Sequence, residues 1–301
     1  MILVVGSTGM VGSDVCRRLA RDGQRVRALV RATSDPARVE GLRASGVEVF
    51  VGDLRMPQTL DAACRGIETV VSTVSAMPHA YLPGVNDLRT TDLHGVLGLI
   101  AVASRVGVRR FVYISFSGNI DTVCPLESAK RTIEARLRSG LLEYAILRPS
   151  YFMEFWLTPA VGFDPLNATA TIYGDGANPI SWISAGDVAE FAARATVSPT
   201  VRNSVLELGG PAAISPLDAV AIFGRIGGRA FTVQHIPLET LEDQRRAASD
   251  PMQQSFAAWM CSYAHGDTIA PEPALAAIPM NLTSVGQYAE QVYGKVPLPV
   301  S

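Results

Sequence analysis

The first residues whose types and spacing can do chemistry lie at the start of the chain. Ile2, Leu3, Val4 and Val5 form a short apolar run that stops at Gly6, and Gly9 and Gly12 follow before an amphipathic stretch begins. A strand, a glycine turn and a helix start fit this pattern. Gly6 permits a sharp turn out of the strand, Gly9 lets the backbone approach a pyrophosphate without a Cβ in the way, and Gly12 allows close helix–strand packing. Free N–H groups and the positive helix end then face an anion. The segment Gly6, Ser7, Thr8, Gly9, Met10, Val11, Gly12 is therefore expected to bind a dinucleotide. With 26 glycines in the chain, an ordinary glycine turn is the plainer alternative, and the strand before and helix after argue against it.

The ends of the following strands supply the other candidates. Arg31 follows the second apolar run, where an NAD site would carry a carboxylate for the adenosine 2′-hydroxyl. A guanidinium suits a 2′-phosphate instead, with Thr33, Ser34 and Arg38 adding contacts, so NADP(H) is the expected cofactor. A solvated loop arginine is the alternative. Asp53 and Leu54 suit either an adenine edge or a turn aspartate that caps the next helix. Ser72, Thr73, Val74 and Ser75 end the fourth run, where a ribose or phosphate would pass. Ser115 and Ser117 follow the fifth, Lys130 lies on the next helix, and Pro149, Ser150 and Tyr151 follow the sixth.

The elements that must position these residues alternate. Strands are expected at 2–5, 25–30, 47–51, 69–75, 110–117 and 144–147, with helices at 14–21, 57–65, 87–106 and 126–139 between them. The expectation is an α/β fold: a Rossmann-type parallel sheet with helices on both faces, ligands beyond the carboxyl ends of its strands, and a smaller C-terminal substrate lobe. Residues 1–150 read as the NADP-binding core. Residues 151–301 read as a substrate lobe folded onto it in one structural unit, with 180–210 returning to the core. Residues 151–178 read as loops and 180–184 as a short strand. Asp187 and Ser215 read as caps of helices reaching Thr196 and Ile226. Short strands are expected at 205–208 and 231–233. Residues 238–261 read as largely helical, and from Asn281 a helix and a Pro-rich tail.

Bulk properties narrow the classes. The 301 residues are 48% hydrophobic and 18% charged, with a formal net charge of -2. A sizeable core is available, and no basic excess calls for nucleic acid or an anionic membrane. Cys16, Cys64, Cys124 and Cys261 lie far apart, so neither a zinc site nor a disulfide framework is expected and a cytoplasmic location is. No signal peptide is expected, since the first strand starts at residue 2. His79 and His94 read as surface residues, His235 and His265 lack metal-ligand partners, and Glu154 suits a capping role or substrate contact.

Several segments together resemble the short-chain dehydrogenase/reductase superfamily, in its atypical NmrA-like branch that includes the isoflavone reductase-like enzymes. They are GSTGMVG at 6–12, LVR at 29–31, GDL at 52–54, GVRRFVYIS at 107–115, SAKRTIEARLRSGLLEYAILRPSYFME at 128–154 and ISAGDVAEFAA at 183–193. They cover about two-thirds of the chain in the family's order, and the part from about Ser198 has no close match. The resemblance implies NADP(H) binding at Gly6–Gly12, Arg31, Asp53 and the end of the fourth strand, and it matches Lys130 to the family's active-site lysine. In the wider superfamily a tyrosine four residues earlier acts as general acid; here that position is Leu126. The isoflavone reductase-like enzymes also lack it and depend on the lysine. Two functions follow as expectations. One is an NADPH-dependent reductase of a small apolar or aromatic substrate, with Lys130 holding the ribose and relaying a proton and Ser117 or Tyr151 stabilising negative charge. The other is an NADP(H)-binding sensor without turnover. A homodimer is allowed.

Overall fold

The computed structural model describes residues 1–77, 81–120 and 122–294. They fall into two compact units. Met1–Phe116, Cys124–Arg148 and Val188–Leu206 make the first; Ser117–Val123, Pro149–Asp187 and Glu207–Ser301 make the second.

The first unit is built on seven strands: β1 (Ile2–Val5), β2 (Val26–Val30), β3 (Glu48–Val51), β4 (Thr69–Ser72), β5 (Arg110–Ile114), β6 (Glu143–Pro149) and β9 (Ser204–Leu208), in the order β3-β2-β1-β4-β5-β6-β9. The register runs parallel across β1–β2, β2–β3, β1–β4, β4–β5 and β5–β6. Strand order reverses between β1 and β4, which places a topological switch point at the end of β1. All four residues of β1 are buried, as are those of β4 and β5. Strands covered on both faces need continuous apolar runs, and those runs made them readable. The core beneath gathers Leu3, Val5, Leu29, Leu60, Val70, Leu99, Phe111, Tyr113, Ile133 and Ile146.

Helices α1 (Met10–Arg21), α3 (Pro57–Cys64) and α5 (Pro125–Arg138) lie close to the expected ranges. Two elements differ from expectation. Helix α2 (Pro36–Ala44) lies in a stretch for which no element is expected. Asp35 caps it, accepting from the N–H groups of Ala37 and Arg38 at 2.8 and 3.2 Å, and Pro36 opens its first turn. It buries only Val39 and Leu42, so its apolar periodicity is faint. The helix expected over 87–106 is two windings in series. Leu88–Gly95 is π-wound and α4 (Val96–Arg105) is α-helical. Asp87 caps the first, accepting from the Thr90 N–H at 2.7 Å. At Gly95 a Cβ would lie 2.9 Å from the Leu54 Cβ, so packing on Leu54 requires the glycine.

In the second unit, β8 (Thr169–Tyr173) pairs antiparallel with β7 (Phe163–Asp164) and parallel with β10 (Thr232–Ile236). Residues 151–178 are thus not plain loops; they also contain the short helix Met153–Trp156, labelled α6. Residues 180–184 form no strand, and Ile180 makes single bridges to Ile214 and Asp267. Asp187 lies inside α7 (Ala185–Ala195) and is not its cap; its carboxylate accepts from the N–H and hydroxyl of Thr283 at 2.7 and 3.1 Å. The α7 start is met by Glu154, which accepts from the Ser184 hydroxyl and the Ala185 N–H, both at 2.8 Å. A carboxylate there suits the positive helix end. Ser215 caps α8 (Pro216–Gly227) as expected. The stretch from 238 splits into α9 (Leu238–Ala247) and α10 (Pro251–His265), with Asp250 and Pro251 restarting it. Helices α11 (Glu272–Ala277) and α12 (Val285–Gly294) follow. The tail expected from 295 lies outside the described residues.

The four cysteines are buried, and Cys124 caps α5 by accepting from the Glu127 N–H. Burial pushes the Cys16 thiol up to about 12 and the Cys64 thiol up to about 11. Among the described residues no helix is long and apolar enough to cross a membrane.

One buried arginine closes the returning segment of the first unit onto the sheet. Arg110 is 2% exposed; it donates to the carbonyls of Ala195 and Ser198 at 2.9 and 2.7 Å and to Glu143 at 3.2 Å. Arg110→Met should cost about 3 kcal/mol, because two carbonyls and a carboxylate lose their donor. Urea denaturation of both proteins measures this, and an unchanged midpoint would refute the role.

Candidate functional site

The glycine turn is held by contacts that leave no room for side chains. Gly6 has φ 81°, in the left-handed region. A Cβ on Gly12 would lie 2.2 Å from the Gly6 oxygen, which explains why α1 can pack so closely on the end of β1. Thr73 steadies the same point, its hydroxyl donating to the carbonyls of Val5 and Gly6 at 3.2 and 3.3 Å. Ser7 is buried and donates to the Leu29 carbonyl at 2.8 Å, tying the turn to β2. Gly9 is exposed, its N–H bonded to the Gly6 oxygen at 2.9 Å, and Met10 is 48% exposed at the start of α1. Val11 is buried against the sheet. The turn therefore presents an open helix start with no Cβ over Gly9.

One guanidinium group is bonded to that turn, and a second arginine follows β2. Arg38 donates to the Thr8 carbonyl at 3.0 Å. Arg31 is half-buried at the end of β2, its N–H donating to the Ser34 hydroxyl at 3.0 Å, and Thr33 is exposed next to it. Asp53 does not cap α3, whose first residues follow Met56. It is committed to Arg55, accepting from Nε at 2.9 Å and Nη2 at 2.5 Å. Those bonds hold its carboxyl below the usual range, and the Arg31 charge adds to the effect. Leu54 is buried against Gly95, and Ser75 is exposed.

Lys130 is the least expected feature. A helical lysine is usually solvated, yet Lys130 is 5% exposed. Its Nζ donates to the carbonyls of Val74 and Ile114, both at 3.1 Å, and lies 5.1 Å from the centre of the Tyr113 ring. Burial pushes its pKa down, while the charges of Asp92 and Glu134 pull it up. One turn further along α5, Glu134 is 3% exposed and accepts from Arg131 and Arg148 at 2.8 and 2.9 Å. Burial pushes the Glu134 carboxyl up, but hydrogen bonds from Arg148 and Ser115 and the Arg131 charge outweigh it and hold it below its usual range.

In the second unit, two expected catalytic residues are otherwise engaged. Tyr151 is 3% exposed, its hydroxyl donating to the Trp259 carbonyl at 3.2 Å. Its ring is set edge-on to Trp156, Trp182 and Tyr263. Burial pushes its hydroxyl well above the ordinary range. Its ring packs in the core of this unit and its hydroxyl proton is bonded there. Ser117 is fully buried and donates to the Asp267 carboxylate at 2.7 Å. That carboxylate also accepts from Asn119 at 2.8 Å and Ser150 at 2.7 Å. Ser117 is therefore a structural hydroxyl, and the buried Pro149 accepts its N–H at 2.9 Å. Sequence reasoning missed Asp267, because no motif links it to a partner 150 positions away. It also missed Asp92, which sits in a predicted helix where an acid is ordinarily solvated.

The remaining candidates carry no chemistry here. His94 is exposed, and ring nitrogens of His235 and His265 meet the carbonyls of Gly174 and Cys261. His79 lies outside the described residues. Among the described residues no cluster could hold a metal ion.

The profile of the NmrA-like family matches residues 1–281. An NAD(P)H azoreductase of Xenophilus azovorans is 30% identical over 240 residues, which is 79% of this chain and 78% of that protein. A chloroplastic protein of Arabidopsis thaliana, named for a high chlorophyll fluorescence phenotype, is 27% identical over 248 residues, 81% of this chain, and the match spans 60% of that relative's length. Among solved structures, an Escherichia coli NADPH-dependent quinone oxidoreductase complexed with NADPH superposes with a TM-score of 0.79 at 20% identity, covering 97% of this chain and 100% of that one. At that identity the likeness concerns the fold.

The Glu134 cluster gives a pH prediction. Its folded pKa is lowered, so its stabilisation is present above the ordinary carboxylate value of about 4.3 and is lost as pH falls through the folded value. Glu134→Gln should cost about 2 kcal/mol at pH 7 and progressively less below about pH 4. Denaturant titrations across that range measure it; a pH-independent difference would remove the ionic role.

Proposed function

We propose that this chain, which belongs to the NmrA-like family, is an NADP(H)-dependent reductase of a small aromatic or apolar acceptor. The observation that carries the proposal is the glycine turn, closed to every Cβ at Gly6 and Gly12 and bonded by Arg38 at Thr8, with Arg31 following β2 where an NAD site would carry an acid. In this reading the N–H groups at the start of α1 bind the pyrophosphate. Arg31, Thr33 and Arg38 hold the 2′-phosphate, Asp53 and Leu54 border the adenine, and Thr73, Val74 and Ser75 line the ribose path. When bound, NADPH supplies the hydride, and this chain supplies orientation, exclusion of water and a proton. The azoreductase named above and the quinone oxidoreductase that shares the fold act on acceptors of this chemical class.

Lys130 is the residue to which the proton step is assigned. An ammonium has three donors, and two of them are bonded to Val74 and Ile114. The third is available to a ribose hydroxyl. Ser117 and Tyr151 take no part in this reading. The proposal includes a cytoplasmic location, in keeping with four buried cysteines.

The absent hydroxyl favours a second reading. Leu126 stands where the wider superfamily has its tyrosine, and it is 1% exposed. A protein that binds NADP(H) without turning it over, and reports the cofactor ratio to a partner, needs no proton donor.

Calorimetry with NADPH and NADH tests the cofactor. NADPH should bind more tightly, and Arg31→Asp should weaken it at least about tenfold, or about 1.4 kcal/mol, while sparing NADH. Unchanged selectivity would overturn the assignment. Absorbance assays with quinones, azo dyes, enones and imines test turnover. Lys130→Ala should lower kcat about 100-fold, and turnover that survives it removes Lys130 from the mechanism. Tight NADPH binding with no turnover on any acceptor selects the sensor.

A further inference from the structure

Only two of the 26 basic residues are lysines, Lys130 and Lys295. The chain thus uses arginine almost everywhere, yet places a lysine at its most buried cationic position on α5. Arginine cannot give up its proton in a protein, whereas a buried lysine can. A position that keeps lysine in such a chain is one where the proton matters.

The surroundings of Lys130 contain a buried acid, Asp92, bonded by the Ala76 N–H and the Ser75 side chain. Asp92 is 1% exposed on the π-wound segment. One carboxylate oxygen accepts from the Ala76 N–H at 2.9 Å, two residues beyond the Val74 carbonyl that holds Lys130. Among the described residues the other oxygen, Oδ1, makes no hydrogen bond, and neither do the Ser72 and Tyr113 hydroxyls, which are buried on facing residues of β4 and β5. An unpaired carboxylate oxygen in the interior is costly unless a cation compensates it, and Lys130 acts on it electrostatically.

We propose that Asp92 is a positioning residue for Lys130, a buried counter-charge that keeps the lysine protonated at the cofactor ribose. The inference rests on the reductase reading for its purpose, while the coupling itself can be measured without cofactor. The groups facing Lys130 are few. The Tyr113 ring faces it from β5; the charge of Asp92 acts from the π-wound segment, its carboxylate held at Ala76 two residues from the Val74 carbonyl, and Glu134 and Arg131 act from its own helix. Asp87 also bears on Asp92. Burial holds the Tyr113 hydroxyl well above its ordinary range, so it stays neutral. The charge of Glu134 is opposed by Arg131 and Arg148. Asp92 is left as the acid without an arginine partner. Burial pushes the Asp92 carboxyl up and the Lys130 ammonium down, and each charge opposes that movement in the other. Removing the Asp92 charge therefore lowers the Lys130 pKa further.

With two lysines, carbon-13 labelling at lysine Cε gives two resonances, and Lys130→Arg assigns them. In Asp92→Asn, Lys130 should titrate at least about one unit lower than in the wild type, and Asp92→Glu should restore most of the difference. An Asp92→Asn value within about 0.3 units of the wild type overturns the proposal. Wild-type protein provides a check that needs no folded variant: its Lys130 signal must carry a second, smaller step on the acid side as Asp92 takes up a proton, and its absence also overturns the coupling. NADPH affinity, followed by fluorescence against pH, tests the purpose. Its basic limb should move down with the lysine in Asp92→Asn, a change that a merely structural role would not produce. A moved lysine with an unmoved limb overturns the positioning role. If the wild type takes up no NADPH while the lysine still moves, the cofactor reading falls and the coupling stands.

Discussion

A buried ammonium must be compensated where it stands, and much of the first unit is arranged around one. Desolvating such a charge costs several kcal/mol in a protein interior. Lys130 recovers this through two carbonyls at the ends of β4 and β5, an aromatic face and a nearby carboxylate. The bonds reach from α5 to both strand ends, so the segments carrying Val74 and Ile114 are fixed relative to the helix. These lie next to the switch in strand order, where parallel sheets bind ligands. One turn away, Glu134 solves the opposite problem with Arg131 and Arg148. Together the two clusters anchor α5 by charge as well as by apolar packing.

The glycine turn obeys a second constraint, one of volume. Gly6 and Gly12 approach so closely that the turn tolerates no added atom. Ser7 and Thr73 stitch it to β2 and to the loop after β4. A rigid turn of this kind keeps its N–H groups aimed without help from a ligand, and preorganised donors lose less on binding. The Arg38 bond to Thr8 extends the same frame to α2, so the turn is held by elements from three parts of the unit.

Much of this was legible because buried parallel strands write themselves as unbroken apolar runs, and a glycine triplet between strand and helix has few other uses. Arg31 and Thr73 could be named from their places after strands, and Lys130 from the family resemblance. The environment of each was not legible. No local pattern tells a buried lysine from a solvated one, nor a π-wound segment such as Leu88–Gly95 from an α-helix. Tyr151 misled for a related reason: an aromatic residue just beyond the last core strand has the same sequence appearance whether it faces a substrate or packs among Trp156, Trp182 and Tyr263. Helix α2 went unseen because two buried residues make too weak a stripe. The second unit resisted because its key bonds, such as Ser117 to Asp267, join positions far apart in the chain.

The sealed thiols have a practical corollary. Cys16, Cys64 and Cys124 belong to the first unit and Cys261 to the second. Since the thiolate is the nucleophile, and burial suppresses it at Cys16, Cys64 and Cys261, alkylating reagents must wait for local opening. The rate of alkylation at each site is thus a clock for breathing of its neighbourhood, three of the clocks set in one unit and one in the other, with no probe introduced by mutation.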